Sequence, residues 1–266
     1  MSMKKCLIGA LIAFSGIASA QPADKYPEKA VKVYVGFAPG GATDLLARYY
    51  ADQLSKILGQ PFVVENKPGS GGNVAIQSLT QVKPDGYTLA MGANYIASNA
   101  AFKRNNYNWE TELQPVALIS HTPNILMVPP NSTFNNVDDI IKASKNSSSF
   151  LTYGSAGVGS SIHLAGELFQ AMTGTKLTHV PYRGATPAEQ ALMAGDIAMM
   201  FGSPSNAVGL IKADKLKAIA ITGLDQIKAL PQVPTLDQSG LKGFNVGASY
   251  VLVAPAGVPA NVLDRL

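Results

Sequence analysis

The pattern of apolar and polar positions near the start of the chain changes its period at a glycine-rich turn. Apolar residues fill most positions from 31 to 37, which is typical of a strand. Residues 38–41 form a turn with two glycines, after which Thr43 or Asp44 is expected to cap a helix. That helix has apolar residues at close to helical spacing, at Leu46, Tyr50, Leu54 and Leu58. Such a unit leaves unpaired backbone N–H groups at the helix start, which suit an anion.

The same unit recurs about 115 residues later. Residues 150–153 predict a strand, and residues 154–161 a glycine turn with small polar side chains. The helix that follows carries apolar residues on one side, at Leu164, Leu168 and Met172. We therefore expect each turn to supply half of one ligand site.

Strands and helices alternate through about the first 90 residues, which predicts an α/β fold with a parallel sheet covered by helices. Further strands are predicted around residues 115–120, 124–128, 178–181, 197–201, 216–221 and 250–253. Further helices are predicted around residues 94–104, 137–144 and 187–194. Residues 260–266 resemble the first two turns of a helix, which suggests a C-terminally truncated form.

The first 20 residues have the layout of a secretory signal peptide. Lys4 and Lys5 precede an apolar run over residues 7–17, and small residues precede the expected cut after Ala20. The run is too short for a membrane anchor, so we expect a soluble product in a bacterial periplasm or the medium. The one cysteine, Cys6, would be removed with this segment, which leaves no disulfide or thiol nucleophile.

Composition excludes some classes of function. The chain has 266 residues, of which 47% are hydrophobic, so it can bury a sizeable core. The formal net charge of +4 falls to about +2 without Lys4 and Lys5, which is too little and too scattered to indicate nucleic acid binding. The three histidines lack metal-ligand spacing, and no nucleotide or dinucleotide signature is present. We expect no metal and no cofactor.

An enzymatic alternative remains open at the second turn. Ser155 or Ser160 could act with His163 in a secreted α/β hydrolase. However, Tyr153 occupies the first glycine position of the G-x-S-x-G nucleophile motif, and nothing else in the sequence selects a catalytic triad. We expect no catalytic residues.

A carboxylate ligand fits the two turns better. Backbone N–H groups at both helix starts, with hydroxyls nearby, can satisfy the acceptor positions of a carboxylate. The alternative is that these turns only join strands to helices. Asp44 could likewise serve the helix dipole or sense the far end of a ligand, and His163 could donate to the ligand or support a loop. Arg183 is the best cationic candidate, with a solvated or salt-bridged arginine as its alternative.

Several motifs together resemble the Bug-type receptors, the periplasmic substrate-binding proteins of tripartite tricarboxylate transporters. The match runs through nearly the whole mature chain. It comprises the signal peptide, Tyr26-Pro27, Pro39-Gly40-Gly41 with Asp44 and Ala47-Arg48, Val64-Glu65-Asn66-Lys67-Pro68-Gly69, Pro84-Asp85-Gly86-Tyr87-Thr88-Leu89, Tyr153-Gly154-Ser155-Ala156-Gly157, Gly159-Ser160, His163-Leu164, Gly166-Glu167-Leu168-Phe169, Val180-Pro181-Tyr182-Arg183-Gly184 and residues 231–235.

The resemblance implies a two-lobed periplasmic binding protein of type II that closes on a small organic acid. Each lobe would be a mainly parallel sheet flanked by helices, with residues 24–120 and 222–266 in lobe 1 and residues 121–221 in lobe 2. The two glycine turns would face the ligand across the cleft. The predicted ligand-binding residues are Phe37, Ala38, Pro39, Gly40, Gly41, Asp44, Ser155, Gly159, Ser160, Ser161, His163, Arg183, Gly184 and Ser203.

The resemblance also implies a monomer that presents its ligand to the subunits of a membrane transporter. A ligand-sensing domain that serves a signalling partner is a further alternative. Family members usually continue for some tens of residues, and many carry tryptophan where this chain has Tyr250. The sequence does not name the acid, because backbone amides recognise a carboxylate and not the group attached to it.

Overall fold

The computed structural model describes residues 26–146 and 151–266. The predicted signal peptide and the first residue of the strand predicted at 150–153 lie outside the described residues. The strands are β1 (Val31–Val35), β2 (Phe62–Asn66), β3 (Thr88–Ala93), β4 (Leu113–Pro123), β5 (Ile125–Val128), β6 (Leu151–Ser155), β7 (Leu177–Pro181), β8 (Met199–Gly202), β9 (Lys217–Ile221) and β10 (Gly247–Pro255).

The α-helices cover the two faces of these strands. They are α1 (Ala42–Leu58), α2 (Asn73–Thr80), α3 (Tyr95–Ala101), α4 (Trp109–Glu112), α5 (Val137–Asn146), α6 (Ser161–Thr173), α7 (Ala185–Ala194), α8 (Pro204–Lys212) and α9 (Ala260–Arg265). A short 3₁₀ turn at Ser70–Gly72 precedes α2. Within the part of the chain that the structure describes, no helix is long and apolar enough to cross a membrane.

Two five-stranded sheets share one topology. The first has the order β2-β1-β3-β10-β4 and the second the order β7-β6-β8-β5-β9. In each sheet three neighbouring strands are parallel, and the two remaining strands join them by antiparallel pairs. The two-lobed α/β fold is thus confirmed. Each sheet is mixed, because it contains both parallel and antiparallel strand pairs. The repeated strand–turn–helix unit occupies equivalent places, since β1–α1 and β6–α6 lie at the centre of the parallel half of each sheet.

The first strand shows why these segments form a covered sheet. Val31, Val33 and Val35 are almost fully buried on one side, and Tyr34 on the other face is buried as well. Only Lys32 is exposed. A strand buried on both faces is expected where helices cover a parallel sheet.

Two local predictions need correction. The residue that precedes α1 as its N-cap is Gly41, without a side-chain hydrogen bond, so Thr43 and Asp44 lie inside the first turn and do not cap it. The helix α8 was not predicted, because Pro204 and Gly209 interrupt its weak apolar pattern. Proline is nevertheless compatible with the first helical turn, where its missing N–H would have no partner.

The chain crosses between the sheets at two neighbouring points. β4 runs to Pro123, so the predicted lobe boundary at residues 120/121 falls inside a strand of the first sheet. The backbone N of Asn124 donates to the hydroxyl of Thr222 at 2.7 Å, and Thr222 N donates to Asn124 O at 2.9 Å. After this crossing the chain still pairs with the second sheet through Ile221 and Thr235, and it joins the first sheet at Gly247. Adjacent crossing points of this kind can act as a hinge.

Gly166 lets helix α6 approach the second sheet closely. A Cβ at Gly166 would lie 2.3 Å from the ring of Tyr153, which is fully buried in β6. The Tyr153 hydroxyl donates to Glu167 at 2.5 Å, which fixes the ring in this position. The contact between helix and strand therefore depends on the missing side chain.

We expect Gly166→Ala to destabilise the protein by about 1–3 kcal/mol, because overpacking outweighs the better helix propensity of alanine. The matched control is Gly209→Ala in α8, where no atom lies within 4 Å of the new Cβ. That variant should gain about 0.5–1 kcal/mol. Urea unfolding of both variants measures the difference, and a stabilising Gly166→Ala would contradict the packing argument.

Candidate functional site

A small cavity lies between the two sheets, where helices from both lobes begin. Its volume is about 40 Å³, enough for about three water molecules. Nine lining residues come from the first lobe and its strands: Phe37, Gly41, Ala42, Thr43, Ala93, Asn94, Tyr95, Ala248 and Tyr250. The others are Asn124 at the crossing point and, from the second lobe, Ala156, Ser160, Ser161, Ile162, Ala185 and Ser203.

Four helices of at least eight residues start at this cavity: α1, α6, α7 and α8. Each follows the carboxyl end of a strand, where α/β folds place their ligands. Gly41, Gly184 and Ser203 precede α1, α7 and α8 without a side-chain cap, so these helix starts keep N–H groups available. Each helix start stabilises an anion by about 0.3–1 kcal/mol, and by up to about 2 kcal/mol when partly buried. Their convergence favours an anionic ligand.

The cavity wall carries no formal charge. None of its lining residues is Asp, Glu, Lys, Arg or His. Its polar side chains are hydroxyls and amides, and its apolar wall includes Phe37 and Ile162. An anion would therefore be held by dipoles and neutral hydrogen-bond donors.

Two larger hollows on the surface have less to offer a ligand. One, of about 550 Å³, is lined by Lys217, whose ammonium already donates to the carbonyl oxygens of Ser132 and Phe134. The other, of about 290 Å³, lies beside Trp109 and is mostly apolar. Neither is lined by the starts of four helices, as the central cavity is.

Asp44 holds the first glycine turn in place. Its carboxylate accepts hydrogen bonds from Gly40 N at 2.9 Å, Arg48 Nε at 2.9 Å and Asn66 Nδ2 at 2.8 Å. Burial alone would raise the pKa of Asp44, but the hydrogen bonds from Arg48, Gly40 and Asn66 outweigh it and lower the pKa. Asp44 is buried and does not line the cavity, so its carboxylate is held aside from the site.

Two histidines support the second glycine turn from behind. The hydroxyl of Ser155 pairs with Nε2 of His179 at 2.6 Å and accepts from Gly157 N at 3.0 Å. Gly159 N donates to Nδ1 of His163 at 3.3 Å. Burial and then the neighbouring His163 lower the pKa of His179 to about 4, and burial also lowers the pKa of His163. Both rings are therefore neutral at pH 7 and can accept these bonds.

These contacts engage the serine and histidine side chains that the hydrolase alternative would pair with each other. Ser155 is fully buried and pairs with His179 instead of His163. The Ser160 hydroxyl donates to Gly157 O at 2.7 Å and caps α6 by accepting from His163 N, so it does not pair with the imidazole of His163. The predicted serine–histidine pairs are therefore not formed in this structure.

The two lobes touch at the rim of the cavity. Ala38 N donates to Arg183 O at 3.0 Å, and Asn206 Nδ2 donates to Gly40 O at 2.7 Å. On the opposite side the hydroxyl of Ser98 donates to Gly159 O at 2.8 Å. The structure is thus a closed arrangement of the lobes.

The predicted site residues divide into three groups by position. Those that line the cavity are Phe37, Gly41, Ser160, Ser161 and Ser203. Those at the contact between the lobes are Ala38, Pro39, Gly40, Gly159, Arg183 and Gly184. Those that support the turns from outside the cavity are Asp44, Ser155 and His163. Arg183 was predicted as a cation for the ligand, but it is exposed and contributes its backbone carbonyl to the lobe contact.

Eleven lining residues were missed by the sequence prediction of ligand-binding residues, among them Tyr95, Asn124 and Tyr250. Tyr95 starts a short helix, Asn124 lies at the crossing point, and Tyr250 is in the antiparallel strand β10. No local motif marks them, because only the pairing of β10 with β3 and the crossing of the chain bring them together. The one signal noted in the sequence was Tyr250, which stands where many family members carry tryptophan.

Known proteins with similar sequences or structures give a consistent result. Residues 46–266 match the model of the tripartite tricarboxylate transporter family receptor. A UPF0065 protein from the tcbD-tcbE intergenic region of Pseudomonas sp. (strain P51) is 36% identical over 249 residues, which are 93% of this chain and 74% of the relative.

Two solved structures share the fold and about a third of the residues. The periplasmic binding protein BugD has a TM-score of 0.87 and 32% identity, covering 90% of this chain and 81% of BugD. MatC from Rhodopseudomonas palustris with bound malate has a TM-score of 0.86 and 33% identity, covering 90% of this chain and 82% of MatC. The predicted resemblance to Bug-type receptors is confirmed.

We expect Asp44→Ala to lower the free energy of unfolding by about 1–3 kcal/mol near neutral pH, because it leaves Gly40 N without its acceptor and Asn66 Nδ2 with Phe37 O as its remaining acceptor. The control is Asp52→Ala on the same helix, whose exposed pair with Lys56 contributes about 0–1 kcal/mol.

The effect of Asp44→Ala should also depend on pH. The pKa of Asp44 is lowered in the folded protein, so its contribution is present above the ordinary value of 3.8 and is lost as the pH falls through the folded value. Urea unfolding at neutral and at acidic pH measures this. A difference between wild type and variant that persists undiminished in acid would show that the contribution of Asp44 does not depend on its charge.

Proposed function

The chain belongs to the tripartite tricarboxylate transporter family of receptors, and on this basis we propose that it captures a small organic acid in the cavity between its lobes. It then delivers the acid to a membrane transporter of the tripartite tricarboxylate type. The observation that carries the proposal is the uncharged cavity at which four helices begin. The malate bound to MatC supports a carboxylate as the ligand class.

Hinge closure is the proposed mechanism. Residues 26–123 together with the strand β10 form one lobe, and residues 125–221 form the other, with Asn124 and Thr222 at the hinge. The acid would bind to the open form and be held by helix starts of both lobes only after closure. Ligand binding then shifts the balance towards the closed form, because only that form makes both sets of contacts.

The site supports binding in preference to catalysis. The hydroxyl of Ser155 pairs with His179 in β7 and that of Ser160 donates to Gly157 O, so neither serine pairs with His163. We further propose export to the periplasm, with removal of the signal peptide after Ala20. The layout of residues 1–20 supports this step.

We expect a thermal-shift screen of the protein against organic acids to identify the ligand. A ligand at 100 times its Kd stabilises the folded state by about 2.7 kcal/mol, which raises Tm by several degrees. The variant Ala185→Asp places a carboxylate at the start of α7, where it can fold but occupies the anion position. The ligand should no longer raise the Tm of Ala185→Asp, whereas it should still raise the Tm of Ala185→Ser. Absence of any shift in a broad panel would contradict the proposed function.

Closure can be tested separately at Gly71. A Cβ there would lie 2.2 Å from Val158 O in the other lobe, at a φ of +61°. Gly71→Ala should therefore hold the lobes apart and weaken ligand affinity by at least about tenfold. Gly174 has a φ of +66° and no atom within 4 Å of a new Cβ, so Gly174→Ala carries the same backbone strain without the lobe contact. Equal affinities in the two variants would show that closure does not depend on this contact.

A further inference from the structure

The carboxyl group of Glu189 in α7 is buried but does not line the cavity. The residue is 3% exposed, and its Oε1 has no hydrogen-bond partner within the described residues. Its Oε2 accepts one long bond, from Asn206 Nδ2 at 3.4 Å. A carboxylate buried with so few donors is costly, whereas the protonated acid carries no charge to desolvate. Burial accordingly raises the pKa of Glu189 to about 7, although the Asn206 hydrogen bond acts in the opposite direction.

Glu189 lies on the face of α7 that meets the first lobe. Ala185 and Thr186 come one turn earlier on the same face. A Cβ at Gly41 would lie 3.9 Å from the Cβ of Ala185, and the hydroxyl of Thr186 donates to Pro39 O at 3.4 Å. The first glycine turn therefore covers this face of α7 only while the lobes are closed.

The amide group of Asn206 connects this carboxyl group to the contact between the lobes. Its Nδ2 donates to Gly40 O at 2.7 Å across the lobes and to Glu189 Oε2 within the second lobe. Gly40 is held from the other side by Asp44, which accepts from Gly40 N. Opening the lobes would break the bond between Asn206 and Gly40, and it would let water reach both Asn206 and Glu189.

The second sheet separates Glu189 from the titratable groups behind the second glycine turn. Helix α7 packs on the face of β6 that carries Gly154, where a Cβ would lie 3.7 Å from Ala188. Successive residues of a strand point to opposite faces, so Tyr153 lies on the other face, where it stacks with His179 of β7 at 4.8 Å between centroids. Strand β8, which also packs against α7, carries no titratable residue.

The other charged groups on the elements around α7 are exposed or already engaged. Arg183 before α7, Asp196 after it and Lys212 at the end of α8 are exposed. Asp44 of α1 is engaged by three donors of its own lobe. The pKa of Glu189 therefore responds to burial and to one hydrogen bond, and both depend on the closed arrangement.

On the basis of the proposed hinge closure, we infer that closing the lobes adds a proton from the solvent to Glu189. Mild acid then favours the closed form, which holds the ligand. Rising pH favours the open form, which releases it. The charge of a residue outside the cavity thus regulates closure without touching the ligand.

The direction of the effect follows from the pKa of Glu189 in the two forms. In the open form the group is solvated and its pKa returns towards the ordinary value of 4.5, whereas burial holds it at about 7 in the closed form. Below the open value Glu189 is protonated in both forms and does not oppose closure. As the pH rises towards the closed value, the ratio of closed to open form falls by up to about tenfold per pH unit, and above that value the effect levels off.

A disulfide bridge across the lobes measures closure without a ligand. The substitutions Gly41→Cys and Ala185→Cys would place two Cβ atoms 3.9 Å apart, within the range of about 3.5–4.5 Å that disulfides need. Gly41 has a φ of −77°, which accepts a side chain. Cys6 lies in the predicted signal peptide, so the exported protein has no other thiol. In glutathione buffers the bridged fraction at equilibrium gives the effective concentration of the two thiols, which rises with the population of the closed form.

The parent for comparison is the protein with both cysteines and Glu189. Between pH 6 and pH 8 its effective concentration should fall about tenfold more than that of the variant with Glu189→Gln, which keeps the size of the side chain and does not titrate. The thiols are the same in both proteins, so their own titration cancels. Glu189→Leu also removes the acid and should behave like Glu189→Gln. The matched control is Asp196→Asn, which removes an exposed acid just after α7 and should keep the pH dependence of the parent.

An equal pH dependence with and without the acid at position 189 overturns the inference. A pH dependence that Asp196→Asn also abolishes overturns it as well, because surface charge would then be the cause. Neither result touches the receptor function, since no ligand is used. That function fails only if no organic acid raises the Tm in the screen described above.

Discussion

The site depends on the backbone N–H groups at the starts of four helices. A helix leaves its first donors without intrahelical partners, and burial makes such donors costly unless an acceptor meets them. Here α1, α6, α7 and α8 begin around one cavity, and three of them start without a side-chain cap. The shared topology of the two sheets produces this arrangement, because parallel strands deliver their helices to the same edge. The closed lobes bring the two edges together.

The buried polar groups around the cavity keep the two glycine turns in shape before any ligand arrives. Asp44 ties Gly40 to Arg48 and Asn66, while His163 and Ser155 tie Gly159 and Gly157 to the second lobe. Each of these side chains uses its hydrogen bonds within its own lobe. These contacts hold the turns from within each lobe, and order that precedes binding lowers the entropy that binding must overcome.

The sequence predicts the local units well, because a strand, a glycine turn and a helix are each encoded within about 30 residues. The helix α1, the strand β6 and the turn between residues 154 and 161 follow from apolar period and glycine position alone. The sequence does not predict which side of a turn meets the ligand. Arg183 and His163 belong to the predicted motifs but lie outside the cavity, whereas Tyr95 and Asn124 line it without any motif. Their positions depend on the crossing of the chain at Thr222 and on the pairing of β10, which join residues far apart in sequence.

The absence of charged side chains from the cavity wall fits a receptor that must release what it binds. A buried arginine that paired with a carboxylate would have to be left unpaired, or be solvated again, at each release, and breaking such a pair is costly. Neutral donors and helix starts hold an anion by several smaller contributions, each about 0.3–2 kcal/mol. Those contributions come from both lobes, with α1 in the first lobe and α6, α7 and α8 in the second, so a hinge opening at Asn124 and Thr222 would separate them. Under the proposed hinge closure, affinity would depend on whether the lobes are closed, and opening them would release the ligand without breaking an ion pair.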